Sequence, residues 1–514
     1  MTEDWHSLSD RDRKQLAERG ISVPDAERQL ALLRSPPLAF LVDRPCTVGD
    51  GIRRLDRAEV DELAEAFEAA RRAGRATKLV PASGAATRMF RSLSALRSED
   101  PFPGDEDSRR RRAASDPAAA DLRRLRERLA EFPFYPALQE VLARDGRGVE
   151  DASDSEILDA LLDTRDLGLA DRPKGLIPFH RYAGGEVRSA FEEHLAEGAE
   201  YVRDGHGVAR FHFTVGPEHR DAFHKAAQLA AAVIGGRDTR FRVELSTQSP
   251  ATDTLAITPA GEPFRTGSGR LLLRPGGHGA LIGNLAQSAG DLVFLKNVDN
   301  VLPRDRHAEV ARWQAALGGL LVRVQGAVHR LLHRIVDQDD AEATMEGLGW
   351  IRSELGLEPP AGADRDWLRD RLERPLRVAG VVENTGEPGG GPFWTRRPDG
   401  SITPHIVERA EIDLEREDQV AILSRATHFN PVQIACALRD RHGRLFDLPR
   451  FVDEQAVFVA RKSHEGRPLV ALERPGLWNG AMAGWNTLFV EIPGDHFAPV
   501  KTVFDLLRPA HRGS

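Results

Sequence analysis

Cysteine is almost missing from this chain. Cys46 and Cys436 are the only two in 514 residues and lie far apart, so they form neither a metal-ligand spacing nor a redox pair. A disulfide scaffold is excluded, and the reduced thiols of a cytoplasmic protein are expected. Long apolar runs are missing too: no stretch approaches the roughly 18 residues of a membrane-spanning helix. The opening MTEDWHSLSDRDRK is polar and acidic, unlike a secretory signal. Positive charge is not in excess. With 71 basic against 79 acidic residues the net charge is -8, which argues against a general nucleic-acid or membrane-surface binder. No internal repeat recurs at a fixed period, so a solenoid is not indicated. Lysine is the scarcest charged residue. Lys14, Lys78, Lys174, Lys225, Lys296, Lys462 and Lys501 are the only seven, and the other 64 basic residues are arginines. Drift toward arginine codons explains the imbalance. A lysine that persists then marks a place where a planar guanidinium does not replace a compact ammonium.

What is present begins with length: 514 residues suggest two or three domains and a large buried core. Residues 1–75 read as helical, with apolar residues at helical spacing through Ala26–Leu33 and Val60–Ala70. A strand is expected at Lys78–Pro81, followed by a helix from about Ala85. Residues 97–118 mix Pro, small residues and clustered charge, the composition of a solvated insertion. Their Arg109–Arg112 run is either part of a surface loop or a phosphate contact. Helices follow to about Leu169. Beyond Leu176, strand-like stretches (Ala209–Val215, Phe241–Ser246, Leu255–Thr258, Leu271–Leu273, Leu292–Leu295) alternate with helical ones (Pro217–Ile234, Gly279–Ala289). That alternation indicates an α/β domain with a largely parallel sheet. Residues 307–373 read as helical, led by an amphipathic stretch over His307–Asp337. A second mixed region starts at Arg377 and carries a Gly-rich loop at Gly386–Pro392. The expected division is a helical region 1–75, an α/β core 76–306 with a helical insertion at about 91–170, a helical segment 307–373, and a C-terminal α/β part 374–514.

Several segments carry chemistry. Val80–Phe90 (VPASGAATRMF) reads as strand, small-residue turn and helix start. Backbone amides of Ser83, Gly84, Ala85 and Ala86 there can approach a phosphate at a helix N-terminus, with Thr87 and Arg88 adding a hydroxyl and a forked cation. An ordinary tight turn fits the same residues, and the segment is not a Walker P-loop. Arg172–Pro178 (RPKGLIP) holds Lys174 on a stiff, turn-prone backbone, as either a phosphoryl contact or a surface turn. Arg274–Ala280 (RPGGHGA) packs three glycines and His278 into seven residues, which implies close backbone approach to something. A ligand loop and a structural turn capped by His278 are both open. Leu292–Asn300 (LVFLKNVDN) is an apolar strand ending in polar residues. Ligands of open α/β sheets bind beyond the carboxyl ends of strands, so Asp299 is placed either to hold Mg²⁺ or to cap a turn. Asn384–Trp394, Trp478–Thr487 and Phe497–Leu507 are further loop-like segments, the last with Lys501 after Pro-Val.

In this order the segments resemble the UDP-sugar pyrophosphorylase family, nucleotide-diphospho-sugar transferases of GT-A type. The likeness rests on Gly84–Arg88, Pro173–Lys174, Gln248-Ser-Pro250, Gly276–Gly279, Asn297–Asn300, Val407–Ile412, Phe429–Asn430, Pro499–Lys501 and Asp505–Leu507. The whole chain also resembles a bacterial domain-of-unknown-function family that brings no activity with it. The resemblance implies a three-layer αβα, Rossmann-like fold with a mixed, mostly parallel sheet. It implies a nucleotidyltransferase that joins a nucleoside triphosphate and a sugar 1-phosphate and releases pyrophosphate. Ser83–Thr87 would hold the triphosphate and Arg88 the leaving pyrophosphate. Lys174 would stabilise the α-phosphoryl charge, and Lys501 would neutralise the sugar phosphate. Gln248, Gly276, Gly277, His278 and Gly279 would face the base or ribose, and Glu408 and Asn430 the sugar hydroxyls. Asp299 would hold Mg²⁺. A GT-A glycosyltransferase and a non-catalytic nucleotide- or sugar-binding protein of the same fold are the alternatives. Neither a nucleic-acid nor a membrane partner is expected.

The remaining features read blandly. His180, His212, His219 and His224 lack metal-cluster spacing. Glu192 and Glu193, beside His194, read as a helix face, and Trp313 and Trp350 as core.

Overall fold

The computed structural model describes residues 8–37, 40–97, 114–236, 238–288, 290–386, 389–397 and 399–512. The Arg109–Arg112 run lies outside the described residues. The chain divides into two discontinuous units: Met1–Leu79, Ser246–Leu295 and Trp313–Ile492 form the first, and Val80–Leu245, Lys296–Arg312 and Pro493–Ser514 the second.

The first unit is built on a sheet in which strands follow the spatial order Thr47–Val48, Gly51–Arg53, Asn486–Glu491, Leu376–Glu383, His428–Ala437, Leu292–Lys296 and Ala76–Pro81. Four of the strand pairings are parallel; Leu376–Glu383 and His428–Ala437 run antiparallel. Leu292–Lys296 is buried at every position, as a parallel strand covered on both faces must be, hence its unbroken apolar run. Helix Arg57–Arg72 and the long helix His307–Leu332 approach very closely. A Cβ on Gly319 would lie 1.7 Å from the Leu63 carbonyl, and one on Gly318 would meet Phe67 and Phe294 within 3.0 Å. The adjacent Gly-Gly pair thus lets the long helix dock against its neighbour.

Helices Asp10–Arg19 and Val23–Arg34, N-capped by Ser9 and Ser22, cover a small antiparallel sheet of Leu273–Arg274, Thr254–Ile257, Arg467–Glu473 and Phe458–His464. Leu16, Leu30 and Leu33 pack there on Leu255, Ile257 and Leu472. Two buried amides lock the layers: Gln29 accepts from the Leu255 N–H, and Gln15 both donates to and accepts from the Leu271 backbone. Helix does not run throughout residues 1–75, however. Val42–Pro45, Thr47–Val48 and Gly51–Arg53 are short strands. Their partners, Gly391–Arg396 and Asn486–Glu491, lie hundreds of residues away, so no local period reveals them.

The second unit holds the neighbouring strands Val208–Thr214 and Arg240–Ser246, the hairpin Pro178–Arg181/Val187–Ser189 and helices Ala190–Val202 and Arg220–Val233. The insertion carries Arg91–Arg97, Pro117–Glu127, Tyr135–Arg144 and Asp154–Leu162. Phe191, Phe213 and Phe223 form its aromatic centre, with ring centroids 4.6 and 5.4 Å from Phe191. Lys296 is buried against Glu197 at 2.6 Å, so this lysine is structural.

Candidate active site

In the second unit the Ser83–Arg88 turn and the Arg172–Gly175 turn are stitched together. The Lys174 amide donates to the Gly84 carbonyl and the Ala86 amide to the Arg172 carbonyl, each at 3.0 Å, and Ala85 bridges Pro173. Ser83, Gly84, Ala85, Thr87 and Arg88 are exposed, and Ala86 is buried. Ala86 therefore turns its methyl inward, and its amide is already spent; the Thr87 hydroxyl is likewise engaged, on the Ala170 carbonyl at 3.3 Å. The helix expected from about Ala85 is instead a single 3-10 turn, Ala86–Arg88, then the seven-residue helix Arg91–Arg97. Anion attraction here rests on the exposed amides and Arg88 more than on a helix dipole.

Lys174 lies beside Asp299. Its Nζ donates to Oδ2 at 2.7 Å, with 16% and 23% of the two side chains exposed. Gly175 permits this approach, since a Cβ there would stand 3.1 Å from Val298 Cγ2. The C-terminal segment joins them. The Val500 amide donates to the Asp299 carbonyl at 3.1 Å, and the Val503 amide to the Met89 carbonyl at 3.1 Å. The Ala498 amide donates to Asn300 Oδ1 at 3.1 Å. Lys501 is exposed, and Asp505 fixes its backbone by accepting from the Lys501 and Thr502 amides. Arg88, Lys174, Asp299 and Lys501 thus sit on segments directly hydrogen-bonded to one another. Among the described residues no three His, Cys, Asp or Glu side chains converge as a metal site. One carboxylate suits a hard cation that draws its other oxygens from phosphates and water, but not a self-contained cage.

A buried relay behind this cluster escaped the sequence reading. Glu193, read as a helix face, has no exposure. It accepts from the Tyr182 hydroxyl at 2.5 Å, and His180 Nδ1 lies 3.1 Å away. Burial acts to raise the Glu193 carboxyl, but hydrogen bonds from His180 and His307 outweigh it and hold it at about 2. His180 Nε2 meets His511 Nδ1 at 2.9 Å, and His511 Nε2 reaches the Ala498 carbonyl at 2.7 Å. The relay anchors the segment that leads to Lys501. Glu192 does stay on the helix surface as the capping-box partner of Ser189.

The other expected residues fall in the first unit. The glycines of Gly276–Gly279 approach their own chain closely: a Cβ on Gly276 would lie 2.4 Å from the Thr252 carbonyl and one on Gly279 2.0 Å from the Pro475 carbonyl. His278 stacks on Trp478 with centroids 4.2 Å apart, and its Nδ1 accepts from the Leu477 amide at 3.0 Å. Burial pushes it down to about 4, so it is neutral at pH 7, with Nε2 carrying the proton. Next to Trp478, Asn479 Nδ2 donates to Glu411 Oε2 at 2.9 Å, and the same oxygen accepts from the Glu408 amide at 2.7 Å. Burial raises both carboxyls, Glu411 to about 8. Glu408 and Asn430 meet around Gly390. A Cβ on Gly390 would stand 3.2 Å from Glu408 Cγ, and the Asn430 amide donates to the Gly390 carbonyl at 2.7 Å. Asn430 Oδ1 accepts from the Val432 amide, and Val432 has φ 59°, a strained value for a β-branched residue. Asn430 Nδ2 is buried without an acceptor. Gln248 is half-buried after strand Arg240–Ser246. Glu411, Asn479 and Trp478 are functional candidates that the sequence did not single out as residues, although the Trp478–Thr487 loop was noticed.

The chain has a mixed α/β fold with a large, mostly parallel sheet, and that fold is similar to the fold of solved UDP-sugar pyrophosphorylases. It belongs to the family described as Domain of unknown function (DUF4301), which matches residues 9–512. Among solved structures, it is similar to the uridine diphosphate N-acetylglucosamine pyrophosphorylase of Trypanosoma brucei. Identity is 13% over 97% of this chain and 79% of that one, with a TM-score of 0.50. It also aligns with a UDP-glucose pyrophosphorylase of Leishmania major at 13% identity, 99% and 80% coverage and a TM-score of 0.44. No curated protein matches the chain significantly in sequence. Among the described residues no helix is long and apolar enough to cross a membrane.

Proposed function

We propose that this protein is a nucleotidyltransferase that joins a nucleoside triphosphate and a sugar 1-phosphate into a nucleotide sugar and releases pyrophosphate. The observation that carries the reading is the Lys174–Asp299 pair at 2.7 Å, set on the segments that also bear Arg88 and Lys501. A sugar-phosphate oxygen attacks the α-phosphorus, the bond from that phosphorus to the bridging oxygen breaks, and pyrophosphate leaves. The nucleophile is already an anion, so no general base is required. The protein's task is to align two polyanions and screen their repulsion. The exposed Ser83–Ala85 amides hold the triphosphate, and Arg88 faces the leaving pyrophosphate. Lys174 stabilises charge on the α-phosphoryl group, and Lys501 neutralises the sugar phosphate. Asp299 is the residue that would hold Mg²⁺, which when bound supplies further charge neutralisation among phosphates. Gln248 and the Gly276–Gly279 loop with neutral His278 are assigned to the base or ribose. Glu408, Asn430 and, newly, Glu411 are assigned to the sugar hydroxyls; the buried Asn430 Nδ2 lacks an acceptor, which a hydroxyl would provide.

The test is pyrophosphate release by the purified full chain over a panel of nucleoside triphosphates and sugar 1-phosphates. Pyrophosphate appears under this reading. Release of free nucleotide from a nucleotide sugar makes the protein a GT-A glycosyltransferase instead, and binding without turnover makes it a non-catalytic binder.

A further inference from the structure

We infer that the first unit carries a separate anion site, a cavity that takes a small phosphate ester with an apolar body. The cavity measures about 230 Å³. Leu376 and Ala437 line it, the first and last residues of two paired antiparallel strands whose other end pairs Glu383 with His428. Seven residues of strand, roughly 23 Å, separate it from the end where Asn430 lies, so it is not the sugar-side cluster.

Its floor is apolar, with Leu332, Leu372 and Phe446, and its walls carry five arginines and two histidines against four acids. Two of those acids are already engaged. Asp370 takes Arg374 at 2.6 Å, and Asp440 takes Arg444 at 2.8 Å as well as the His442 and Arg444 amides. The other two, Glu373 and Asp447, are exposed to solvent. Among the cations, Arg439 donates only to the Gly443 carbonyl, and the exposed Arg450 side chain has no partner among the described residues. Arg441 decides the argument. Its side chain is 11% exposed and its Nη1 is held by Asp337 at 2.5 Å, yet its Nε–H is buried without an acceptor. Leaving a buried donor unpaired forfeits its hydration with no hydrogen bond in return. A phosphate oxygen beside Arg441, with Arg439 and Arg450 on its other oxygens, removes that cost with charge-assisted hydrogen bonds. The apolar floor accepts the body of the ester.

Calorimetric titration of the full chain with inorganic phosphate and with phenyl phosphate tests this. Phenyl phosphate is expected to bind, and more tightly than phosphate if the floor contributes; equal affinities assign the site to free phosphate. Arg450→Glu, at an exposed position, and Arg441→Lys, which keeps the charge facing Asp337 but loses the Nε donor, should each weaken that binding about tenfold or more. The same binding should persist in Lys174→Ala. No binding of either probe, binding indifferent to both arginine variants, or binding lost in Lys174→Ala overturns the proposal.

Discussion

Two polar pairs of similar length meet opposite fates in this molecule. Lys174 and Asp299 meet at 2.7 Å with part of each side chain in water. Glu411 and Asn479 meet at 2.9 Å with residue exposures of 5% and 0%. The first pair couples opposite charges where solvent still screens them. The second buries an acid against a neutral amide, and desolvation wins: Glu411 rises to about 8, while nearby His278 falls to about 4. At pH 7 the His278–Glu411 cluster is nearly neutral.

The sharpest way to break the comparison is Lys174→Ala. Removing a charge partner of the transition state should cost roughly 10²-fold in turnover, with an unchanged circular-dichroism spectrum. Wild-type turnover by that variant would falsify the site. Next comes a glycine substitution. Gly279→Ala forces a methyl to within 2.0 Å of the Pro475 carbonyl and should cost about 2–3 kcal/mol in urea unfolding. A pH-dependent effect separates Glu411→Gln from wild type. The folded chain keeps the Glu411 proton up to about 8, whereas the ordinary value is 4.5. Between those values the folded state binds more protons than the unfolded one, so wild-type stability falls as pH rises from about 4.5 to about 8. Glu411→Gln removes this slope and should be the more stable chain at pH 8, by up to about 4 kcal/mol, with no advantage at pH 4. The smallest effect is expected at Gly84→Ala. Nothing lies within 4 Å of a Cβ there, so stability should stay within about 0.5 kcal/mol, while triphosphate affinity should drop under the proposed function, in which the added methyl would stand in the path of the phosphate.

The Lys174–Asp299 cluster was the more legible of the two. A lysine between Pro and Gly, an aspartate at the end of an apolar strand and a lysine after Pro-Val are short local patterns, and the fold sets them on segments hydrogen-bonded to one another. The lysine count proved informative in a different way as well. Lys174 keeps only 16% of its side chain exposed, beside Asp299, Lys78 and Lys296 are buried, and a compact ammonium fits a confined pocket such as the one facing Glu197 better than a guanidinium does. The other cluster was less legible. Three glycines around His278 announced a close backbone approach without saying to what, and the answer includes Thr252 and Pro475. Glu408 and Glu411 look alike in sequence, and the contact of Glu411 with Asn479, some 70 positions further on, is set by packing. Glu193 read as a helix face because its partners His180, Tyr182 and His307 are set by packing rather than by any period.

The sequence by itself determined the α/β class, the order of the motif segments and the absence of a disulfide framework, since periodicity, turn chemistry and composition are local properties. Tertiary structure alone decided which carboxyls stay ionised, which amides are left for a ligand and what the glycines approach. Desolvation and pairing depend on neighbours far along the chain, and no window of residues contains them.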